Sequence, residues 1–260
     1  MSWVNTSDGN EIFYETVGTG TPLIFQSGYM GIHDIWKYQV NYFRKSYRCI
    51  THDNRGYGMS GKPESSSFYT MEKNADDLRD VMNAANVTEP ALIITHSMGG
   101  MIAMAFAEKY PERVKAIIMM GGPAYSAAIV KNNGGHEQMW SAYQTTPSSS
   151  MQFYMNIGLC EEIAKEASKW THGAFTNQAK AVLNYYPHKD IQKTLVQPVW
   201  VIHSTEDNIT PKEMPQEIVD VLPNAKMIFI DGGKHFPQTE VPDIINEIIQ
   251  NVCTELGLSK

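Results

Sequence analysis

Short apolar runs alternate along this chain with segments whose apolar positions recur every three to four residues. The first pattern predicts strands and the second predicts helices. Trp3-Val-Asn-Thr and Ile12-Phe-Tyr-Glu-Thr-Val flank a Ser-Asp-Gly-Asn turn and predict an antiparallel hairpin. Gly18 and Gly20 end it, and Leu23-Ile-Phe-Gln opens a new strand. Ile35, Trp36, Tyr38, Val40 and Phe43 mark a helix, and residues 47–52 a further strand. Met71, Ala75, Leu78, Val81, Met82 and Ala85 lie at helical spacing behind Thr70, a residue type favoured at N-caps. Ala91-Leu-Ile-Ile-Thr and residues 114–120 are nearly unbroken apolar runs, as expected of strands covered on both faces. Between them, residues 98–110 have the Ala/Met composition of a buried helix that stops at Pro111.

The alternation lapses over residues 122–196, which are rich in Met, Tyr and Trp and show only helical patterns. It resumes with Val199-Trp-Val-Ile-His, a helix over 212–221, Lys226-Met-Ile-Phe-Ile and a helix over 241–256. The expected architecture is an α/β frame of residues 1–121 and 197–260, with a mostly parallel central sheet flanked by helices. Residues 122–196 are expected to form an inserted helical cap.

Composition narrows the function classes. With 260 residues, 42% of them hydrophobic and 19% charged, the chain has the balance of a globular protein with a sizeable core. A formal net charge of −7, with no long Lys/Arg cluster, argues against a nucleic-acid partner. The N-terminus does not read as a signal peptide, and no apolar stretch approaches the length of a membrane span. Three widely spaced cysteines without metal-ligand spacing fit a reducing, cytoplasmic compartment.

The chemistry concentrates in three places. In Ile94-Thr-His-Ser97-Met-Gly-Gly100, a serine sits between a buried strand and a small-residue helix. A sharp strand-to-helix turn presents a hydroxyl clear of the backbone, and the helix N-terminus puts the Met98 amide beside it as an oxyanion donor. Ser97 alone is equally compatible with a helix N-cap. Asp207 follows the Val199 strand and His235 follows the Lys226 strand on a Gly-rich loop. Catalytic groups of open α/β sheets collect at that carboxyl edge, and the order Ser, Asp, His is the one this architecture expects of a triad. Glu206 is the competing carboxylate. A second oxyanion donor is expected from the Tyr29 amide in Ser27-Gly28-Tyr29-Met30-Gly31. Gly28, Met30, His33, Trp140, Met155 and Phe236 are candidate substrate contacts, within a cap whose Met139, Tyr143, Met151, Phe153, Tyr154, Trp170, Phe175, Tyr185 and Tyr186 give it an apolar character. Most of these are expected to form the cap's own core.

On these residues the chain resembles the α/β-hydrolase superfamily over nearly its whole length. The matching segments are Ser27-Gly-Tyr with Trp36, Asp53-Asn-Arg-Gly-Tyr-Gly-Met-Ser-Gly-Lys-Pro63, His96-Ser-Met-Gly-Gly, Asp207, and Gly232-Gly-Lys-His235 with Glu240-Val-Pro242. Length and motif wording are similar to the small esterase, enol-lactonase and cofactor-free haloperoxidase branch. The resemblance implies acyl transfer by Ser97, Asp207 and His235 without metal or organic cofactor, on a small, largely uncharged ester or lactone. Carbon–carbon bond hydrolysis or peracid formation on the same triad is the alternative, and a ligand receptor on this scaffold a further one. Haloalkane dehalogenase and epoxide hydrolase relatives use a carboxylate nucleophile where this chain has Ser97. Two positions depart from the family pattern: Thr95, where a glycine is usual, predicts a wider or more strained elbow, and Ser27 stands where many relatives carry His. Gly56-Tyr-Gly58-Met-Ser-Gly61 matches a dinucleotide fingerprint, but Lys62-Pro63 follows instead of a helix, so a tight turn anchored by Asp53 and Arg55 is expected.

Overall fold

A computed structural model describes residues 1–122, 146–185 and 190–258. Eight strands form one sheet: β1 (Ser2–Asn5), β2 (Glu11–Val17), β3 (Pro22–Gln26), β4 (Arg48–His52), β5 (Ala91–His96), β6 (Val114–Met120), β7 (Val199–Ser204) and β8 (Ala225–Ile230). Their order is β1-β2-β4-β3-β5-β6-β7-β8. β2 runs antiparallel to β1 and β4, and every other pairing is parallel. The central β5 and β7 are buried at every position, which explains why they read as unbroken apolar runs.

Helices α1 (Lys37–Phe43), α2 (Met71–Ala84) and α3 (Gly99–Lys109) belong to the first half of the frame, and α8 (Glu213–Val221), α9 (Pro237–Glu240) and α10 (Pro242–Glu255) to the second. Thr70 caps α2 by accepting from the Lys73 amide, and the helix buries Met71, Ala75, Leu78, Val81 and Met82 on one stripe. Helix α3 is buried from Gly99 to Ala107, and its run of small residues lets it pack closely against the sheet and α2. The predicted strands and helices of the frame are all found within a residue or two of their expected ends. The four-residue α9 was not anticipated.

The described part of the segment between β6 and β7 is helical: α4 (Pro147–Asn156), α5 (Glu161–Ala167), α6 (His172–Asn184) and α7 (Ile191–Thr194). Thr146 and Ser149 form a capping box at α4, with Pro147 in its first turn, and Thr171 caps α6. Residues 123–145 and 186–189 of the expected cap, including Met139, Trp140, Tyr143 and Tyr186, lie outside the described residues.

The glycine-rich segment after β4 is a closed turn. The Gly56 amide donates to the Gly61 carbonyl at 2.8 Å, and the next α-helix starts only at Met71. A Cβ at Gly58 would overlap the Asp53 carboxylate, whose Oδ2 accepts from the Met59 amide at 2.8 Å. Arg55 is fully buried and grips Asp77 with two contacts of 2.6 and 2.7 Å, while also reaching Asp8 at 3.0 Å. The turn is thus tied to α2 and to the first hairpin, with no helix N-terminus to receive a pyrophosphate.

Parallel pairing of β3, β5, β6, β7 and β8 aims their carboxyl ends at one edge of the sheet. The loops after β3, β5, β7 and β8 meet there.

Candidate active site

Ser97 occupies the turn from β5 into α3 with φ of +53°, in the left-handed region that non-glycine residues rarely enter. Its amide donates to the Met120 carbonyl at 2.8 Å, and its own carbonyl accepts from Gly100 at 2.9 Å. The turn is possible because its neighbours lack side chains. A Cβ at Gly99 would lie 2.5 Å from the Gln26 carbonyl, and one at Gly122 would overlap the Ser97 backbone. Thr95 is fully buried within β5, paired with Gln26 and Met119. The elbow therefore accommodates a β-branched residue before the serine, and the glycines it depends on are Gly99 and Gly122.

Asp207 lies in the turn after β7. Its Oδ1 accepts from the amides of Ile209 and Thr210 at 2.8 and 3.0 Å, and its Oδ2 from the Thr210 hydroxyl at 2.5 Å. Burial pushes this carboxyl up, but His235 and the Thr210 hydrogen bonds outweigh it and hold the group well below the usual carboxylate range. The neighbouring Glu206 is exposed.

His235, on the loop after β8, spans the remaining gap. Its Nδ1 stands 3.0 Å from Asp207 Oδ2 and its Nε2 stands 3.1 Å from Ser97 Oγ. A carboxylate only accepts, so Nδ1 carries the proton and the Nε2 lone pair faces the serine hydroxyl. The His235 carbonyl accepts from His96 Nε2 at 2.7 Å. Burial is the main cause that pushes the His96 imidazole down to about 3, so it is neutral. His96 also stacks on Phe236 with ring centroids 4.5 Å apart.

The loop after β3 closes the other side. A Cβ at Gly28 would lie 2.7 Å from Ser97 Cβ, so the loop backbone rests directly on the serine. Asn54 Nδ2 donates to the carbonyls of Ser27 and Gly28 at 3.0 and 2.9 Å, and Asn54 Oδ1 accepts from Gln26 at 2.7 Å. Across a trans peptide the N–H opposes the C=O, so pinning the Gly28 carbonyl aims the Tyr29 amide away from Asn54. The Ser27 hydroxyl accepts from Trp36 Nε1 at 3.1 Å and donates to the Ile32 carbonyl at 3.1 Å. Met98 begins the first turn of α3, where backbone amides have no intrahelical acceptor. The helices between β6 and β7 touch both sites: Tyr29 Oη donates to the Phe175 carbonyl at 2.7 Å, and Gln178 Nε2 lies 3.3 Å from Met98 Sδ.

A narrow, mostly apolar cleft opens over Ser97. Tyr29, Met30, His96, His235 and Phe236 line it from the frame, with Ile209 from the β7 turn and Phe153, Tyr154 and Ile157 from α4. Met30 and Phe236 stand where the sequence placed them. His33 does not: its Nδ1 and its amide both meet Asp53 Oδ1, at 2.7 and 2.8 Å, and its ring packs on Phe13. The buried Asp53 carboxylate takes this histidine out of the cleft. Met155 is also absent from the lining, because Phe153, Tyr154 and Ile157 supply the face of α4 that meets the cleft while Met155 packs against the core. Trp140 lies outside the described residues. His96, Ile157 and Ile209 were not anticipated as lining residues. Ile157 follows Phe153 by four positions on a helical pattern, and that spacing was the available signal.

Comparisons with known proteins agree with this fold. The family model described as the alpha/beta hydrolase fold matches residues 21–156, more than half of the chain. Epoxide hydrolase 1 of Caenorhabditis elegans is 28% identical over 92% of this chain, which spans 66% of that relative's length. A putative carbamate hydrolase, RutD, of Azorhizobium caulinodans is 25% identical over 95% of this chain and 96% of its own. Among solved structures, Est816, described as an N-acyl homoserine lactone degrading enzyme, superposes with a TM-score of 0.81 at 25% identity, covering 96% of this chain and 99% of its own. By its sheet, its elbow and its match to the family model, the chain belongs to the α/β-hydrolase fold family.

Proposed function

We propose that this protein is a serine hydrolase that cleaves small, largely uncharged carboxylic esters or lactones through an acyl-enzyme intermediate. The observation that carries the proposal is the unbroken chain Asp207–His235–Ser97, with links of 3.0 and 3.1 Å. In this reading His235 Nε2 takes the Ser97 proton as Oγ attacks the substrate carbonyl, and Asp207 holds the imidazole tautomer and supports its protonated form. The amides of Tyr29 and Met98 receive the negative charge that develops on the carbonyl oxygen, each contributing about 3 kcal/mol to lowering the barrier. His235 then returns its proton to the leaving alcohol, and the same base activates the water that releases the acid.

Several features support an uncharged, compact substrate. Met30, Phe153, Ile157, Ile209 and Phe236 give the cleft apolar walls, and no Lys or Arg lines it among the described residues. Such walls favour a neutral acyl or alcohol group over a charged one. We propose further that the helices between β6 and β7 act as the cap that sets this specificity. The Est816 likeness is compatible with a lactone, and a serine nucleophile attacks ester and lactone carbonyls alike.

The test is a product screen at neutral pH across nitrophenyl acetate and butyrate, γ-lactones, and β-diketones, with Ser97→Ala beside the intact protein. Ester or lactone hydrolysis that Ser97→Ala abolishes is the expected result. Turnover restricted to β-diketones would move the reaction to carbon–carbon cleavage. Ester turnover equal in both proteins would remove Ser97 from the mechanism.

A further inference from the structure

The main chain of His235 is held at both of its polar atoms, by two different parts of the molecule. Its carbonyl is tied to the β5 elbow through His96 Nε2 at 2.7 Å. Its amide donates instead to the Ile157 carbonyl at 3.1 Å, at the end of α4. The neighbouring contacts run the same way. Lys234 Nζ donates to the Asn156 carbonyl at 3.0 Å, and the Thr239 hydroxyl, whose one proton is shared with the Phe236 carbonyl at 2.9 Å, stands 3.2 Å from the Gly158 carbonyl. Three successive carbonyls, from Asn156 at the last position of α4 to Gly158 just beyond it, thus face the loop that carries His235, and a helix end leaves its last carbonyls without intrahelical donors.

Gly158 makes the close approach possible. It has φ of +113°, and a Cβ there would overlap the Glu240 carboxylate. That carboxylate accepts from the Lys234 amide at 2.6 Å and so closes the turn of the histidine loop against the helix end. The same ten-residue helix and its end place Phe153, Tyr154 and Ile157 on the cleft wall.

We propose that the C-terminal turn of α4 is a positioning element for His235, with Gly158, Lys234 and Thr239 as positioning residues, so that the fit of an acyl group against α4 is read out in the rate of the chemical step. The proposal rests on the serine-hydrolase reading above. A helix moves as a unit. An acyl group that seats against Phe153 and Ile157 leaves the helix end, and with it the His235 amide, in place. One that displaces the wall shifts the imidazole relative to Ser97 Oγ, and small misplacements of a base are costly to rate.

The test uses Lys234→Met/Thr239→Val, which removes two of the ties without touching the proposed triad, with Gly158→Ala as a second, independent disruption and Lys234→Arg as the conservative control. Two readouts are needed: amide hydrogen exchange of the 232–240 peptide, and steady-state kinetics on nitrophenyl butyrate with fluorophosphonate labelling rates. Both disruptive variants should exchange faster in that peptide while the β5 peptide is unchanged. Their kcat and labelling rate should fall together by about tenfold to a hundredfold, with KM within about twofold of the parent. Lys234→Arg should behave as the parent. Unchanged exchange, or faster exchange with only KM altered, would overturn the positioning role. Failure of the parent protein to label or turn over would overturn the hydrolase reading instead, and the exchange measurement alone would then decide whether α4 holds the loop.

Discussion

Ser97 sits at a backbone conformation that costs an L-residue roughly 1–2 kcal/mol, between glycines that leave no room for side chains. That strain is the expected signature of a residue placed for chemistry. Ser97→Gly should therefore raise stability by about 1 kcal/mol in urea unfolding while abolishing turnover. Ser97→Ala should leave stability nearly unchanged and lower kcat by at least about a thousandfold. A serine whose removal to glycine is destabilising would contradict the strain argument. Asp207→Asn should keep the fold and lower kcat by about 10³–10⁴, because an amide can present its N–H to Nδ1 and hold the wrong tautomer. The meeting of Ser97, Asp207 and His235 was legible in the sequence, since each follows the carboxyl end of a strand whose apolar run is unmistakable. His33 was misread for the opposite reason. Its partner Asp53 is 20 positions away and belongs to a turn with its own motif, so nothing local marks the pairing.

At the scale of elements, the turn after β4 shows how polar groups hold the frame. Burial pushes the His33 imidazole down, but its hydrogen bond and charge contact with Asp53 outweigh this, and the net direction is up. A group raised in the folded state contributes stability that is fully present below its unfolded pKa and is lost as pH rises through the folded value. The stability gap between the parent and His33→Gln should accordingly be widest near pH 5.5 and should narrow through and above neutrality; a gap that widens with pH would contradict the pairing. Arg55→Leu strands Asp77 without its buried partner, and should cost about 3–5 kcal/mol, read as a lowered midpoint in thermal unfolding. The strands and long helices of the frame were readable because their apolar periods are clean. Helix α9 was not: four residues, Pro237–Glu240, are too few to show a period. Likewise the junction of α4 with the histidine loop joins Lys234, Thr239 and Glu240 to carbonyls and a glycine about 80 positions away, and no local pattern marks that pairing.

The whole molecule brings four loops from one sheet edge under a helical wall, and the dimensions of the cleft follow from that stacking. With Phe153, Tyr154 and Ile157 closing one side, short nitrophenyl esters (acetate to butyrate) should be preferred to dodecanoate. Phe153→Ala should shift the optimum to longer chains, and an unchanged profile would take Phe153 out of the acyl site. Fold class was legible at this scale from strand–helix alternation alone, whereas the face that α4 presents to the cleft was only hinted at by the Phe153–Ile157 spacing, because Met155 and Phe153 are both large and apolar and either could face the cleft or the core. No helix among the described residues is long and apolar enough to cross a membrane. The central claim is that one serine becomes acylated by virtue of its two partners. Intact-mass and peptide mapping after exposure to a fluorophosphonate tests it most directly. A single adduct on the peptide containing Ser97, formed by the parent and absent from His235→Ala at neutral pH, is the predicted result. An unmodified parent, or an adduct on any other residue, would contradict it.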